Sequence, residues 1–308
     1  MSSRDEESMT KTDIDSLQKK LIIAFAWIMI LFISLGSATY AWFTGNQRVS
    51  TSHVTGRAAE DDLSLLLGTS EGDLAADTEV EIQRVNSSSD DILLPVTTPD
   101  LETWGRSVAL NEDTTGGYGS FEEIDIDENG NYGYHGQIWM EVHTDRPDSF
   151  DGMKAAIYLE KTSDMEDIGR EEGGSGSSGI LAAARLGLKF DSDSSEPVII
   201  RFDEATETSD RRNNTYIGSQ LASEGKVLRV SGNTATEEED PAENLSDILI
   251  TEDTTDYPEE PLATIDLNTP VQVDIYFYLE GCDPDCVEAI SATDVAFQLG
   301  FYAALTEE

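Results

Sequence analysis

Near the C-terminal end of the chain, two segments carry an apolar side chain at every second position. The first is residues 271–280 and the second is residues 295–302. The apolar residues at alternate positions are Val271, Val273, Ile275, Phe277 and Leu279, then Val295, Phe297, Leu299 and Phe301. A period of two over this length predicts β-strands with one face in a core and one face in water.

Shorter segments of β-strand character precede these two. They are residues 62–67, 92–96, 137–143, 155–160 and 197–202, and only residues 180–186 suggest a short helix. Tracts rich in Gly, Ser and acidic residues, at 171–179 and 231–240, are expected to form mobile loops. We therefore predict an all-β fold, an antiparallel β-sandwich or jelly roll with long acidic loops, as one domain over residues 62–308.

The chain is strongly acidic. Its 308 residues include 62 Asp and Glu against 19 Lys and Arg, which gives a formal net charge of -43. Such a surface repels nucleic acid and anionic lipid headgroups, so neither is expected as a partner. It suits metal cations, basic partners, or simply a protein that stays dispersed.

An apolar segment near the N-terminus predicts export. Lys19 and Lys20 precede the apolar residues 21–33, and small residues follow as far as Ala41. This is the layout of a secretory signal. Residues 21–43 are also about as long as the roughly 20 residues of a membrane-spanning helix, and this segment is the only membrane contact we expect. Whether the segment is cleaved or retained as an anchor, the rest of the chain would lie outside the cell.

Residues 35–44, Leu-Gly-Ser-Ala-Thr-Tyr-Ala-Trp-Phe-Thr, resemble the signal junction of SipW-dependent exported proteins of the TasA/camelysin type. Residues 278–286 are also similar to C-terminal endings in such proteins. The resemblance implies cleavage between Ala41 and Trp42. Residues 1–41 would then be leader and signal, and residues 42–61 an extended N-terminal segment. The chain departs from the family in its long acidic leader before Lys19.

The two cysteines, Cys282 and Cys286, enclose only Asp-Pro-Asp. Two thiols cannot make a disulfide framework, and the C-x3-C spacing is not that of a zinc knuckle. In an exported domain we expect a local disulfide between them. Two thiols are the alternative.

The sequence offers one candidate metal loop and no recognisable catalytic site. The cluster of Glu280, Asp283 and Asp285 is a second cation candidate, which a solvated turn explains equally well. Asp125, Asp127 and Asn129 fit the first half of a calcium loop, but Gly136 stands where the bidentate Glu is required. A hairpin turn at Asn129-Gly130 is the alternative interpretation. The three histidines include no His-Glu-x-x-His motif, so we predict that the chain is not an enzyme.

The resemblance implies a structural subunit of an extracellular fibre or biofilm matrix, which associates with its own copies into polymers. Its extended segment would add as a strand to the open sheet edge of a neighbour. The donor residues would be Trp42, Phe43, Val49 and Val54, with a hinge at residues 56–62. The alternatives are a monomeric binding domain tethered to the membrane and a camelysin-like extracellular peptidase.

Overall fold

The computed structural model describes a large part of the chain after residue 47. The described residues are 48–59, 62–76, 79–86, 93–111, 117–128, 132–160, 163–167, 180–192, 196–202, 222–223, 225–250, 260–283, 286 and 294–307. The chain divides into two units, Met1–Thr44 and Gly45–Glu308, and all described residues belong to the second unit.

Two large sheets dominate the described residues. The six strands of the first sheet are β1 (Arg48–Ala58), β8 (Met153–Glu160), β9 (Asp164–Asp167), β15 (Leu249–Ile250), β16 (Ala263–Asp266) and β18 (Asp294–Glu307). The eight strands of the second sheet are β2 (Ser64–Gly68), β3 (Ala75–Ala76), β4 (Gln83–Arg84), β7 (Tyr134–His143), β10 (Ala184–Phe190), β11 (Val198–Arg201), β14 (Glu243–Asn244) and β17 (Val271–Leu279).

Two hairpins and three short helical turns complete the described elements. The hairpins are β5 (Trp104–Asn111) with β6 (Gly117–Ile124), and β12 (Lys226–Ser231) with β13 (Thr234–Glu239). The helical turns are α1 (Ile180–Ala183), α2 (Leu245–Ile248) and a 3-10 turn at Pro147–Phe150. The all-β prediction is confirmed for this part of the chain.

The two large sheets contribute to one apolar core. Alternate residues of β17 and β7 on one side, and of β18 and β8 on the other, are buried in the same cluster. Rings from the two sheets contact one another: Phe277 stacks on Phe297 with 6.0 Å between ring centres, and Phe190 meets Phe301 edge-on at 6.4 Å. The core is therefore of β-sandwich type, and the alternation at 271–279 and 297–301 correctly marks its inner faces.

The sheets are mixed, whereas the sequence predicted antiparallel ones. β1 runs parallel to β18, β14 runs parallel to β11, and β15 runs parallel to β8. Parallel neighbours need a crossover connection between them, and periodicity within one strand carries no information about such a connection. The expected strand at residues 92–96 is also wrong where it is described, because only Val96 forms a bridge, to Glu280.

The outer face of β17 is accessible to solvent over only part of its length. Tyr276 and Tyr278 are buried in a second cluster, where the Trp104 ring lies 5.5 Å and 5.0 Å from theirs. The hairpins β5–β6 and β12–β13 pack on one another there. Any side chain at Gly105 would place its Cβ 2.2 Å from Val230 Cγ2. The predicted solvent-exposed face is therefore wrong at the C-terminal end of β17, because a further layer covers it.

The acidic tract at residues 231–240 forms a hairpin instead of the expected mobile loop. β13 pairs with β12 from Thr234↔Ser231 to Glu239↔Lys226. Arg229 donates to both carboxylate oxygens of Glu238. Basic side chains on β12 thus face the acidic side chains of β13, and opposite charges on facing strands stabilise the pairing.

Candidate functional site

The strand β1 is the element that bears most directly on self-association. It lies at one end of the first sheet and pairs in parallel with β18, from Arg48↔Asp294 to Ala58↔Ala303. A register shift between Thr51 and Val54 interrupts the pairing. The most N-terminal described strand is therefore held by the most C-terminal one, as an edge strand.

Val54 joins the other edge of β1 to Val80, in the segment between β3 and β4. Its N–H donates to the Val80 carbonyl at 2.9 Å, and the Val80 N–H donates to the Val54 carbonyl at 3.0 Å. The Val54 side chain is fully buried in the main core. This single bridge and the β18 ladder hold the middle of β1 on both of its edges.

The two faces of β1 make different contacts. On the inner face, Gly56 lies so close to β2 that a Cβ there would be 2.7 Å from Leu65 Cδ2. On the outer face, Arg57 Nη1 lies 3.1 Å from Glu160 Oε1, at the end of β8. β1 is therefore held by a close steric fit on its inner face and by an ion pair on its outer face.

The predicted donor residues are divided by the limits of the described chain. Val49 lies in β1 opposite Val295, and Val54 is in the core. Ala41, Trp42 and Phe43 lie outside the described residues, as does the segment 21–43. No helix among the described residues has the length and apolar character needed to cross a membrane.

The expected hinge at residues 56–62 is wrong at its start. Gly56, Arg57 and Ala58 continue β1 and pair with Phe301, Tyr302 and Ala303. Their polar and small side chains suggested a flexible segment. They form a strand because β18 supplies backbone partners for residues 54–58, and Gly56 fits a space that any larger residue would overfill.

The calcium motif is partly described, and its carboxylates have other partners. Asp125 accepts a hydrogen bond from the Asp127 N–H at 2.9 Å, and Asp127 Oδ1 lies 2.8 Å from His135 Nδ1. Asn129 lies outside the described residues. No group of three or more His, Cys, Asp or Glu side chains in the described part of the chain could hold a metal ion. Calcium binding here stays a prediction.

A histidine between two carboxylates is a feature that sequence reasoning missed. The His135 ring is buried, with Nδ1 beside Asp127 and Nε2 3.2 Å from Asp274 Oδ1. It stacks on Tyr276, with 4.4 Å between ring centres. Burial opposes protonation of His135, but the hydrogen bonds to Asp274 and Asp127 outweigh it, so its pKa is raised.

A second cluster of charged groups is buried between β10, β17 and the hairpin β12–β13, which we call the covering hairpin. Arg185 on β10 is almost fully buried, with Nη2 2.5 Å from Asp283 Oδ2 and 3.5 Å from Asp240 Oδ2. Arg201 on β11 also reaches Asp240, at 2.5 Å. The cluster therefore joins three parts of the fold through paired charges.

Glu280 lies at the edge of this cluster and is buried. Its Oε1 accepts the Cys282 N–H at 2.9 Å, and Thr97 forms a further side-chain hydrogen bond with it. Burial raises the pKa of Glu280 to about 7, although the Cys282 N–H and the Arg185 charge act in the opposite direction. In the predicted cation cluster of Glu280, Asp283 and Asp285, the positive charge that pairs with Asp283 is thus the side chain of Arg185. Asp285 lies outside the described residues.

The two cysteines are buried thiols in this structure. Cys282 packs with Leu228 and Val230 under the covering hairpin, and Cys286 packs in the main core. Burial also raises the pKa of the Cys282 thiol, which keeps it protonated. The predicted disulfide between Cys282 and Cys286 stays a prediction for the protein in an oxidising compartment.

Comparisons of the chain with protein-family models, with curated proteins and with solved structures found no match.

Proposed function

We propose that this chain is an extracellular or cell-surface structural protein, the subunit of a fibre or biofilm matrix that assembles by exchange of β1 between copies. The observation that carries the proposal is the parallel pairing of β1, the edge strand, with β18. A second copy's β1 could make the same backbone hydrogen bonds to β18, because it has the same sequence. Exchange of one element from copy to copy builds a head-to-tail polymer.

Closed and exchanged forms would contain the same contacts, so protein concentration decides between them. A strand attached to its own domain has an effective concentration in the millimolar range, which favours the closed monomer in dilute solution. Export through a surface, where copies accumulate, would favour exchange. The proposal therefore expects a monomer at low concentration and polymers above a threshold.

The net charge of -43 opposes close packing of copies. At about 0.1 M salt, charges separated by more than roughly 10 Å are largely screened. We therefore expect assembly to strengthen with ionic strength, and with calcium at lower concentrations than sodium. A contact held by surface ion pairs would respond in the opposite direction.

The segment before β1 supports an extracellular location. Lys19, Lys20 and the apolar residues 21–33 predict export, and the junction at residues 35–44 resembles that of TasA/camelysin-type proteins. We propose cleavage after Ala41 and a mature chain that begins at Trp42, with a jelly roll as the finer topology of its sandwich. Mass measurement of the exported protein tests the cleavage site.

A monomeric domain tethered to the membrane by residues 21–43 is the second candidate. The apolar character and the length of residues 21–43 favour it, because about 20 such residues suffice to span a bilayer. An intact Met1 in the surface protein would support the tether. A camelysin-like peptidase activity is the third candidate, and chelator-sensitive cleavage of casein by the pure protein is its test.

The experiment that separates the first two candidates is a concentration and salt series on residues 42–308. Sedimentation measures the mass distribution, and electron microscopy detects fibres. We expect polymers to form above a threshold that falls as salt rises. A monomer at every protein and salt concentration would reject the fibre proposal in favour of the tethered domain.

A further inference from the structure

The ion pair between Arg57 and Glu160 joins the edge strand to a strand that is not its neighbour. Glu160 ends β8 and is only 5% exposed as a residue, whereas about half of the Arg57 side chain is exposed. β18 lies between the two strands. The nearly buried Glu160 carboxylate thus belongs to a strand that stays in place, and its partner Arg57 belongs to the strand that is proposed to exchange.

The register of the sheet explains how this contact spans β18. Arg57 pairs with Tyr302, while Leu159, the residue before Glu160, pairs with Phe301. The two side chains therefore meet diagonally across the outer face of β18. A slip of β1 by one residue would turn Arg57 to the inner face, and a slip by two would bring Thr55 or Ala59 to its place.

The inner face of β1 imposes a second requirement at the adjacent position. Gly56 packs against Leu65 and Leu67 of β2, where a Cβ would approach their side chains to 2.7 Å and 3.2 Å. Val54, two residues earlier, fills the core. The site along β18 thus accepts a strand that carries a large apolar residue at position 54, glycine at position 56 and arginine at position 57.

We infer that the β1 site is a selective receptor for residues 54–58 of a second copy of this chain, and that the Arg57–Glu160 pair identifies the correct strand in the correct register. This inference rests on the proposed function, since it names what the exchanged strand must carry. Repulsion from Glu160 would exclude a strand with an acidic residue at position 57, and a strand with a neutral residue there would lose the ion pair.

A charge exchange between two variants tests the inference. Arg57→Glu carries two acidic groups at the contact and Glu160→Arg carries two basic groups, so neither closes on itself without repulsion. When the two full-length variants are mixed in non-ionic detergent, each strand matches the site of the other variant. Native mass spectrometry distinguishes the mixed species by mass. The matched control is the Arg57→Glu/Glu160→Arg double variant, whose charges match within one chain.

We expect at least about tenfold more mixed species than either variant forms alone, and a double variant that behaves as the wild type. If mixed species form only in the proportion expected for random association, the inference is overturned. The proposed function would still stand in that case, provided that the wild type assembles. If the wild type and every mixture remain monomeric, the proposed function fails first and the inference fails with it.

A second variant keeps the test decisive should Glu160→Arg fail to fold. Glu160→Gln removes the carboxylate charge with little change in volume. Its site is expected to accept wild-type and Arg57→Glu strands within about twofold of each other, whereas the wild-type site prefers its own strand about tenfold. A tenfold preference that persists in Glu160→Gln would contradict the inference.

Discussion

Arg185 and Asp283 form an ion pair in the interior, with Nη2 of Arg185 2.5 Å from Oδ2 of Asp283. Their side chains are 1% and 6% exposed. Arg185 belongs to β10, and Asp283 belongs to the turn that follows β17, 98 residues later. Paired charges at this depth hold the covering hairpin on the second sheet, since Asp240 after β13 joins the same arginine.

Loss of Arg185 should remove a positive charge that compensates the buried carboxylates of Asp283 and Asp240. We predict that Arg185→Met lowers the free energy of unfolding by about 3–5 kcal/mol, measured by urea denaturation. The matched control is Lys189→Met on the same strand, whose ammonium pairs with Glu102 at the surface and should cost below about 1 kcal/mol. Equal losses in the two variants would show that the interior ion pair contributes no more to the free energy of unfolding than the surface pair does.

Sequence alone predicts the strands that keep one face in the main core along their length. β17 and β18 alternate strictly because one face of each lies in the main core. β7 and β8 are also predicted, although in the structure both begin two or three residues before the predicted start. Local periodicity is sufficient to find the inner face of a strand where the main core lies against that face along its length.

Periodicity fails where the environment changes within a strand or depends on distant residues. β1 has few apolar side chains, and only its fit beside β18 and Leu65 explains why Gly56 and Arg57 are in a strand. The burial of Tyr278 depends on hairpins that are far away in sequence. The Arg185–Asp283 and His135–Asp274 contacts likewise join residues about 100 or more positions apart, and no local pattern reports them.

The pH dependence of stability should depend on His135. Its raised pKa adds stability that is complete below the unfolded value of about 6.5 and is lost as pH rises through the folded value. The pKa of Asp274 is lowered, since hydrogen bonds from His135 and Gln137 outweigh its burial. Its contribution is therefore lost as pH falls below about 4. The pair is strongest between these limits.

We predict that His135→Gln costs about 1–2 kcal/mol near pH 6 and removes most of the decline in stability above that pH. Thermal denaturation between about pH 5 and pH 9 measures both effects. His143→Gln is the control, because the His143 side chain is 43% exposed and solvent screens its contacts with Glu141 and Asp145. If His135→Gln retains the wild-type pH profile, the assignment to His135 is wrong.

Gly56→Ala should destabilise the closed form of β1. Its Cβ would lie 2.7 Å from Leu65 Cδ2, so the core side chains must shift. We predict a loss of about 1–3 kcal/mol in chemical denaturation. Gly72→Ala is the control, since a Cβ there meets nothing within 4 Å, and its effect should be within about 0.5 kcal/mol. Equal effects at both glycines would argue against the tight fit of β1.

The exported protein should contain the Cys282–Cys286 disulfide. Export would place both thiols in an oxidising compartment, and only three residues separate them in the chain. We predict that the denatured, non-reduced protein takes up no alkylating reagent and that the reduced protein takes up two equivalents, as mass spectrometry would show. Two equivalents without reduction would establish that both remain thiols outside the cell.

A reversible covalent lock on β1 tests the central claim most directly. Ala58 and Ala303 are paired neighbours on β1 and β18, and strands about 4.8 Å apart are within the range that a disulfide spans. The Ala58→Cys/Ala303→Cys variant of residues 42–308 would be oxidised, then followed by sedimentation across the salt series before and after reduction. Wild-type protein with and without reductant controls for Cys282 and Cys286. We predict a monomer at every salt concentration when oxidised and wild-type polymers when reduced. Equal polymerisation of the oxidised and reduced protein would contradict assembly by exchange of β1.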